Sequence, residues 1–315
     1  MANSRQMLFQ EEGIDLDNWK AALQEQGMDM DPAIFIGKMK ELNLSNTIFI
    51  DNTASAKVAG FYEDILNSSI SISTPNKIAV SSGFAQYQRL KAIAARRGVQ
   101  FMYETNVGAG LPVISTLNDL IISGDQILKI EGVVSGSLSF IFNNFKAGTS
   151  FSEIVKQAQE LGYTEPDPRV DLNGLDVQRK LIILARETGL PLEAKDVDIE
   201  NILPTACQEA DTVETFFGAL ADSDPHFEQL RAEAEAEGKA LRMIAKLEGA
   251  KATIGLEAVG ADHPFYNLSG SDNMIVFTTE RYKDRPLVVR GPGAGAAVTA
   301  AGVFAEIITI GNYLS

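Results

Sequence analysis

The chain has 315 residues, 45% of them hydrophobic and 22% charged, and its 27 basic and 42 acidic residues give a formal net charge of −15. The composition is near the soluble globular average and the length favours roughly two domains, while the acidic balance argues against nucleic acid or an anionic membrane as the main partner. The single cysteine, Cys207, permits no internal disulfide, and with only two distant histidines it excludes a His/Cys metal cluster.

Over the first third of the chain, short apolar runs alternate with segments of helical periodicity, and polar loops follow each predicted strand. This alternation is typical of an α/β fold, in which helices cover both faces of a parallel sheet. Ligands of such sheets bind beyond the carboxyl ends of the strands, so the loops 51–55, 74–77 and 105–110 are candidate site loops. The predicted helices are 15–27, 32–43, 56–67 and 79–98, and the predicted strands are 48–50, 69–77 and 99–112.

The remaining two thirds follow a different pattern, typical of an α+β domain. A strand, a Ser-Gly-Ser turn and an apolar helix are predicted over 127–145, and a long polar loop over 162–174. Asn173 is placed to cap the helix that follows this loop, and Gly189 to end it. The other predicted helices are 151–161, 174–188, 226–248 and one fed by the glycine-rich turn within 290–314, and the predicted strands are 251–259, 273–279 and 286–290.

The usual opening of a dinucleotide-binding domain is missing from this sequence. Such a domain begins with a strand, a G-x-G-x-x-G turn and a helix, whereas this chain begins with MANSR, which resembles the polar end of a later strand. The glycines at 108–110 and 291–295 stand in the wrong context for that fingerprint. We therefore expect a Rossmann-type sheet that is incomplete.

The richest cluster of reactive side chains lies in GYTEPDPRVDLNGLDVQRK (162–180). Two prolines stiffen the loop that carries Glu165 and Asp167. Asp176 and Lys180 are four residues apart on a predicted helix and share one face. A lysine on a half-buried helix beside carboxylates can serve as a proton donor, and the carboxylates can bind an ammonium group. An ordinary surface ion pair explains Asp176 and Lys180 equally well.

Three other loops offer weaker candidates. Lys77 follows a predicted strand end, where it is either a ligand contact or a solvated lysine, and Thr53 and Ser55 either contact a ligand or cap a helix. The segment from Glu104 to Leu111 either presents backbone carbonyls to a cation or forms a tight turn, and the residues alone favour the turn. His263, which precedes a proline, is expected to be a surface or packing residue.

Taken together, these pieces resemble homoserine dehydrogenase. The family reduces L-aspartate 4-semialdehyde to L-homoserine with NADPH or NADH, so the resemblance implies NADP or NAD as the cofactor, an amino acid as the substrate, and a bound sodium ion. The motifs occur in the family's order along nearly the whole chain, and the string at 162–169 is highly specific. The matching strings are DNTAS (51–55), TPNK (74–77), NVGAGLP (106–112), SGSLS (135–139), GYTEPDPR (162–169), GLDVQRK (174–180) and the segment 290–304.

The resemblance also implies a role for each candidate residue. Lys180 corresponds to the general acid that protonates the nascent alkoxide, and Lys77 to a second active-site lysine near substrate and nicotinamide. The implied substrate contacts are Glu165, Asp176, Tyr163, Ser137 and Asp171, the implied cofactor contacts are Thr53, Lys77, Gly136, Gly295, Asn3 and Arg5, and the implied sodium ligands are Glu104, Val107, Ala109 and Leu111. Under this implication, the cation site replaces the tight-turn interpretation of the last segment.

Two departures from the family pattern affect the expected activity. Val170 stands where the family usually has an acidic residue, which we expect to have modest effects because Glu165 and Asp176 remain. The absent glycine-rich loop is the larger departure. We therefore expect a truncated nucleotide-binding domain from 1–106 and 299–315, and a complete catalytic, substrate and dimerisation domain from 107–298. The alternative to an active dehydrogenase is a homodimeric fragment that folds but binds the cofactor poorly.

The resemblance and the termini also suggest partners and a location. The chain ends soon after its last motif, as do both the dehydrogenase part of a bifunctional aspartokinase–homoserine dehydrogenase and the yeast-type single-function enzyme. The expected partners are an aspartokinase domain in the same polypeptide, if the protein is bifunctional, and further copies of the chain in a homodimer or higher homo-oligomer. The N-terminus lacks the apolar core of a signal peptide, and no stretch approaches the ~20 apolar residues of a membrane span. We therefore expect a cytoplasmic protein.

Overall fold

A small antiparallel pair of strands opens the chain, of which the computed structural model describes residues 1–314. Strands β1 and β2 pair across the helix α1. The next helix, α2, begins where the Asp31 carboxylate accepts hydrogen bonds from two backbone N–H groups of its first turn. This N-cap explains why α2 begins at Pro32. The bounds are β1 Gln6–Met7, α1 Trp19–Gln26, β2 Met28–Asp29 and α2 Pro32–Leu42.

A three-stranded parallel sheet in the order β3-β4-β5 follows in the described chain, as the alternating pattern predicts. The α/β class is therefore confirmed. Two helices differ from the prediction: the one expected over 56–67 breaks near Gly60, and the one over 79–98 breaks where Ser82 and Gly83 take extended backbone angles. The bounds are β3 Ile48–Ile50, α3 Ala56–Ala59, α4 Tyr62–Asn67, β4 Ser71–Ser73, α5 Ile78–Ser81, α6 Phe84–Arg97 and β5 Phe101–Met102.

Strand β5 is much shorter than the predicted strand over 99–112. It gives way to a 3-10 turn, Glu104–Asn106, and the glycine-rich segment then leads to helix α7, Ile114–Ile122. The Glu104 carboxylate accepts hydrogen bonds from the backbone N–H groups of Val113, Ile114 and Ser115 at distances of 2.7, 2.6 and 2.7 Å. These bonds satisfy donors that a helix start otherwise leaves unpaired, so they hold the turn against α7.

The middle of the chain supplies the helices that surround the candidate site. Helix α8 begins at the predicted Ser-Gly-Ser turn, with Ser135 as its N-cap. The polar loop of 162–174 contains one short helix, α10, which the prediction missed, and Asn173 Oδ1 accepts a hydrogen bond from Leu175 N at the start of α11. The bounds are β6 Ile127–Val133, α8 Gly136–Asn144, α9 Phe151–Glu160, α10 Arg169–Leu172 and α11 Leu175–Glu187.

The last third of the chain completes a second sheet, of six strands in the described residues, ordered β11-β10-β6-β8-β9-β7. Along β10, Ile275 and Phe277 face the main core, whereas Met274 and Val276 face a smaller apolar cluster on the other side. The bounds are β7 Val197–Ile199, α12 Thr205–Gln208, α13 Val213–Asp222, α14 Asp224–Ala236, β8 Ala240–Glu248, β9 Lys251–Val259, β10 Asp272–Thr279, β11 Leu287–Pro292 and α15 Ala296–Leu314.

The predicted helix over 226–248 is wrong in its second half. Helix α14 ends at Ala236, Gly238 takes a φ of +67°, and residues 240–248 form β8 between β6 and β9. The signal for a strand was present, because Met243 and Leu247 face the core while Arg242 and Lys246 lie on the opposite face. Pairing along both edges of β8 decides the conformation of this segment.

Helix α15 returns to the parallel sheet, where Gly302 lets it approach Thr105 closely: a Cβ at Gly302 would lie 2.5 Å from Thr105 Cγ2. By length and composition, residues 296–313 are apolar enough to cross a membrane, which corrects the expectation that no such stretch exists. The helix nevertheless carries a buried carboxylate, Glu306, that is hydrogen-bonded to Ser73 and Glu104. Only 22% of this stretch is buried inside the chain, so most of the apolar helix is exposed.

Candidate functional site

A cavity of about 650 Å³ lies where three helices of the described chain begin. The N-terminal ends of α8, α11 and α15 all contribute to its wall, and the loop before α10 closes another side. Because helix N-termini carry partial positive charge, this arrangement favours negative charge on a bound molecule. The lining residues are Ser135, Gly136, Ser137, Gly162, Tyr163, Glu165, Val170, Asp171, Asn173, Leu175, Asp176, Val177, Arg179, Lys180, Ser271, Gly293, Ala294 and Gly295.

Asp176 lies between the two candidate lysines. Its Oδ2 is 2.7 Å from Lys180 Nζ, one turn further along α11, and its Oδ1 is 3.3 Å from Lys77 Nζ, at the N-terminus of α5. Lys180 also donates a hydrogen bond of 2.6 Å to the backbone carbonyl of Val134. The fold thus joins a loop of the parallel sheet to the helix that the sequence singled out.

The charges in this group shift one another's pKa. Burial lowers the pKa of Lys180, Asp176 and Asp171 oppose that effect, and the positive charge of Lys77 adds to it. Burial alone would raise the pKa of Asp176, but Lys180 and Lys77 hold it at about 2. Asp176 is therefore ionised at neutral pH, and Lys180 is a stronger acid than a solvated lysine.

Asp171 organises the loop that carries Glu165 and Tyr163. Its Oδ2 accepts a hydrogen bond of 2.9 Å from Glu165 N, and its Oδ1 lies 2.8 Å from Ser137 Oγ. Ser137 Oγ is also 2.7 Å from the Tyr163 carbonyl, and the Tyr163 ring stacks on Phe140 with the ring centroids 4.3 Å apart. These contacts fix the loop against the start of α8, with Glu165 at the cavity.

The rest of the loop is fastened from outside the cavity. Arg169 Nε donates to both oxygens of Asp167 at 2.9 and 3.1 Å, which lowers the pKa of Asp167, and Arg169 also binds the carbonyl of Ala210. The next residue, Val170, lines the cavity with an apolar side chain. A carboxylate at this position would therefore face the cavity.

The exits of β3 and β4 are tied together by a buried carboxylate, Asp51. It accepts hydrogen bonds from Thr53 N at 2.8 Å, from Tyr62 Oη at 2.6 Å and from Asn76 Nδ2 at 3.0 Å. The network fixes the loop that carries Thr53 and the residue that precedes Lys77. Sequence reasoning quoted Asp51 and Asn76 only as parts of motifs, and the signal for their role was their place directly after two neighbouring strands.

The loop from Glu104 to Leu111, where a cation site is expected, is bound by the start of α7 on one side and by Glu306 of α15 on the other. The Glu104 carboxylate is engaged by the start of α7, and Glu104 N donates to Glu306 at 2.5 Å. Val107 and Ala109 are buried, and Ala109 takes a φ of +51°. Within residues 1–314, no group of three or more His, Cys, Asp or Glu side chains is arranged to hold a metal ion. A cation in this loop would therefore depend on backbone carbonyls.

The structure does not bring every candidate to the cavity. Thr53, Lys77, Asn3 and Arg5 are absent from the described lining, although Lys77 reaches it through Asp176. Asn3 Oδ1 accepts hydrogen bonds from Arg5 N and Gln6 N, both at 2.8 Å, in a turn before β1. Conversely, no ligand contact was expected of Arg179, Ser271, Gly293 and Ala294, and Asn173 was expected only to cap a helix, yet all five line the cavity. Of these, only Ser271 lies outside the strings quoted from the sequence.

Comparisons with known proteins point to one family. The family model described as homoserine dehydrogenase matches residues 112–308, and the model described as its NAD binding domain matches residues 10–104. The chain is 47% identical to a homoserine dehydrogenase of Schizosaccharomyces pombe, with 94% of this chain and 81% of that protein covered. It is 44% identical to a chloroplastic bifunctional aspartokinase/homoserine dehydrogenase of Zea mays, matching with 100% of its own length and about a third (35%) of that relative's.

Solved structures agree with the fold. A Candida auris protein of unknown function has a TM-score of 0.92 and 38% identity, with 98% of this chain and 88% of that chain covered. A hyperthermophilic archaeal homoserine dehydrogenase in complex with NADPH has a TM-score of 0.71, with 94% of this chain and 82% of that chain covered. At 22% identity, this second likeness shows the fold alone.

Proposed function

This chain belongs to the homoserine dehydrogenase family, and from that premise we propose that it reduces L-aspartate 4-semialdehyde to L-homoserine with NADPH or NADH. The observation that carries the proposal is the buried Lys180, held by Asp176 at the wall of a cavity that Glu165 also lines. An ammonium group with a lowered pKa and a nearby pair of carboxylates suit the reduction of an aldehyde that bears an amino group.

Lys180 is the proton donor in this proposal. When bound, NAD(P)H supplies the hydride, and negative charge develops on the aldehyde oxygen. The ammonium of Lys180 stabilises that charge and protonates the oxygen, while Asp176 keeps the side chain aimed at the cavity. The N-terminal ends of α8, α11 and α15 face the same space and add favourable electrostatic potential.

Glu165 and Asp176 hold the amino-acid substrate by its ammonium and hydroxyl ends. Ser137 and Tyr163 also line the cavity. Asp171 holds the loop that carries Tyr163 and Glu165 in place by accepting a hydrogen bond from Glu165 N.

The residues present fit the nicotinamide end of the cofactor. Gly136 and Gly295 line the cavity without side chains, so a flat ring can approach the backbone there. Thr53 and Lys77 stand at the carboxyl edge of the parallel sheet, where nucleotides bind in such folds. For the ribose end, Asn3 and Arg5 are the candidates, and the guanidinium of Arg5 would favour a 2′-phosphate and hence NADP.

A sodium ion is proposed in the loop formed by Glu104, Val107, Ala109 and Leu111. Backbone carbonyl oxygens are suitable ligands for a hard cation, and the loop packs between α7 and α15. The ion would stiffen the connection between the two parts of the chain, without a part in the chemical step.

The names of the relatives suggest the protein's assembly. Because the relatives from Zea mays and other plants are bifunctional, an aspartokinase domain in the same polypeptide is proposed as a partner. A homodimer is proposed from the second sheet, whose edge strand β11 has one free side in the described chain and exposes Val288. A cytoplasmic location is proposed from the lone buried cysteine.

The proposal is tested by titrating the chain with NADPH and then adding L-aspartate 4-semialdehyde. We expect NADPH to bind and to be oxidised only when the semialdehyde is present. Lys180→Met should retain NADPH binding and lose about a hundredfold or more in kcat. Arg231→Met, which breaks two ion pairs within α14, those with Glu228 and Glu235, is the control and should leave kcat unchanged.

Three outcomes would separate the alternatives. Turnover by Lys180→Met near the wild-type rate would refute Lys180 as the proton donor. Failure of the chain to bind NADPH would support the alternative of a fragment impaired in cofactor binding. NADPH binding without oxidation in the presence of the semialdehyde would refute the proposed substrate.

A further inference from the structure

The C-terminal end of α11 is anchored to the parallel-sheet part of the chain by Arg186. Its side chain is fully buried, and Nη1 donates a hydrogen bond of 2.6 Å to the carbonyl of Val80 in α5. Nε and Nη2 donate to the carbonyl of Leu192 at 3.1 and 3.0 Å. The guanidinium also lies over the rings of Phe84 and Tyr87, 5.7 and 5.8 Å from their centroids. This residue therefore links α11 to both α5 and α6.

Two carboxylates reinforce the same junction. Glu193 binds Arg186 Nη2 at 3.1 Å, and its other oxygen accepts a hydrogen bond of 2.8 Å from Phe84 N at the start of α6. Glu187, whose side chain is only 2% exposed, accepts hydrogen bonds from Tyr87 Oη at 2.9 Å and from Tyr103 Oη. A buried arginine and a buried glutamate, adjacent in sequence, thus satisfy their polar atoms across the junction.

The opposite end of α11 carries the candidate catalytic group. Asp176 and Arg186 are ten residues apart on the same helix, about 15 Å along its axis. Lys77, which contacts Asp176, precedes the short helix α5, and Val80 of that helix receives the bond from Arg186. Helices α11 and α5 are therefore connected at two points. The hydrogen bond from Arg186 to Val80 is a structural contact, and the contact of Asp176 with Lys77 lies at the candidate catalytic group.

We propose that Arg186, with Glu187 and Glu193, positions Lys77 against Asp176 by fixing how α11 lies on α5 and α6. The inference rests on the proposed function, because it gives the contact between Lys77 and Asp176 a part in that reaction. Arg186 is a positioning residue, since its side chain is fully buried and lies at the far end of α11 from the cavity.

The two contacts of Asp176, with Lys180 and with Lys77, should respond differently when Arg186 is changed. The contact between Asp176 and Lys180 lies within one helix, at i and i+4, and does not depend on how that helix is placed. The contact between Asp176 and Lys77 joins two elements and does depend on it. A weakened junction should therefore release Lys77 and leave the pair of Asp176 and Lys180 intact.

The first test measures Lys77 without any need for catalysis. The full chain is labelled with an amine-reactive ester, and the rate at Lys77 is read by mass spectrometry. Arg186→Lys keeps the charge but loses the planar fork, and should raise the labelling rate of Lys77 by about threefold. Lys40, paired with Asp64 on other helices, is an internal control whose rate should not change.

Arg242→Lys is the matched control variant. Arg242 is also buried and, like Arg186, donates to backbone carbonyls, here those of Leu241, Phe265, Tyr266 and Leu268, at the face of the second sheet. The Arg242→Lys variant should be less thermally stable than the wild type, as Arg186→Lys should be. Its Lys77 should nevertheless be labelled at the wild-type rate. If Arg186→Lys does not fold, Tyr87→Phe removes one bond to Glu187 and should raise the labelling rate in the same direction.

The second test uses the pH dependence of kcat. The charged groups that act on Lys180 are Asp176, Asp171 and Lys77, and only Lys77 lowers its pKa. When Lys77 moves away, the pKa of Lys180 rises, so the basic limb of the profile should move to higher pH. Lys77→Met should move the limb in the same direction, and Arg242→Lys should not move it.

An unchanged labelling rate and an unchanged basic limb in a folded Arg186→Lys or Tyr87→Phe protein would overturn the proposal and leave Arg186 a purely structural residue. A wild-type chain without turnover would instead contradict the proposed function. The labelling experiment would still decide whether Arg186 positions Lys77, because it needs no substrate.

Discussion

The carboxylate of Glu306, on the C-terminal helix, accepts a hydrogen bond of 2.5 Å from the backbone N–H of Glu104, which lies two residues after the end of β5. The same carboxylate is bound by Ser73 Oγ and is only 3% exposed. Burial raises the pKa of Glu306 to about 7. A single side chain therefore couples the attachment of α15 to pH.

The stability of the chain should fall as the pH rises through about 7. Because the pKa of Glu306 is raised from 4.5 to about 7 in the folded state, its contribution is fully present below pH 4.5 and is lost as the pH rises through the folded value. The loss amounts to roughly 3 kcal/mol. Of this, roughly 2 kcal/mol is lost between pH 5.5 and pH 8.5, the range over which thermal unfolding of the wild type and of Glu306→Gln measures the effect.

The melting temperature of Glu306→Gln should be nearly the same at both ends of this pH range, once the pH effects that the variant shares with the wild type have been subtracted. The amide keeps acceptor capacity for Glu104 N without a charge to bury. A wild-type melting temperature that follows that of the variant across the range would contradict the assignment.

Asp176→Asn and Lys77→Met should shift the basic limb of the kcat profile in opposite directions. Asp176 raises the pKa of Lys180 and Lys77 lowers it. Without Asp176 the limb moves to lower pH, and without Lys77 it moves to higher pH. Shifts of the same sign in both variants would exclude Lys180 as the group that titrates. The comparison uses kcat, because Asp176 also serves substrate binding in the proposed mechanism.

Val170→Asp should change the KM for the amino-acid substrate by less than about threefold. Val170 lines the cavity and is half-exposed, so the new carboxylate is well solvated. Glu165 and Asp176 already supply the carboxylates for the ammonium group. A tenfold or larger change in KM would show that this departure from the family pattern tunes substrate binding.

Gly293→Ala should destabilise the turn before α15. A Cβ at Gly293 would lie 2.1 Å from the Asn273 side chain, which is itself fully buried. We expect a loss of about 1–3 kcal/mol in the free energy of unfolding, measured by denaturant titration. Gly37→Ala is the matched control: it lies inside α2 with no atom within 4 Å, and it should stabilise by about 0.5–1 kcal/mol.

The sequence predicted helix starts correctly where residues next to one another in the chain determine them. Helix α9 begins one residue after Ser150, whose capping box with Glu153 is present, and helix α2 begins after Asp31. The prediction failed over 240–248, where the charged segment continues into a strand because β6 and β9 pair with both of its edges. It also failed to show that the Glu104 carboxylate is bound by the start of α7.

The amino-acid sequence by itself determined the α/β class, the family resemblance, and the pair of Asp176 and Lys180, because these depend on periodicity, motif order and a spacing of four residues within one helix. Only the tertiary structure decided that Lys77 joins this pair, that Arg186 anchors the far end of the same helix, and that Glu306 ties α15 to the parallel sheet. These contacts join residues far apart in the chain, and burial sets their strength and their pKa values. No local pattern encodes such contacts, since desolvation and the approach of distant charges arise only when the elements pack together.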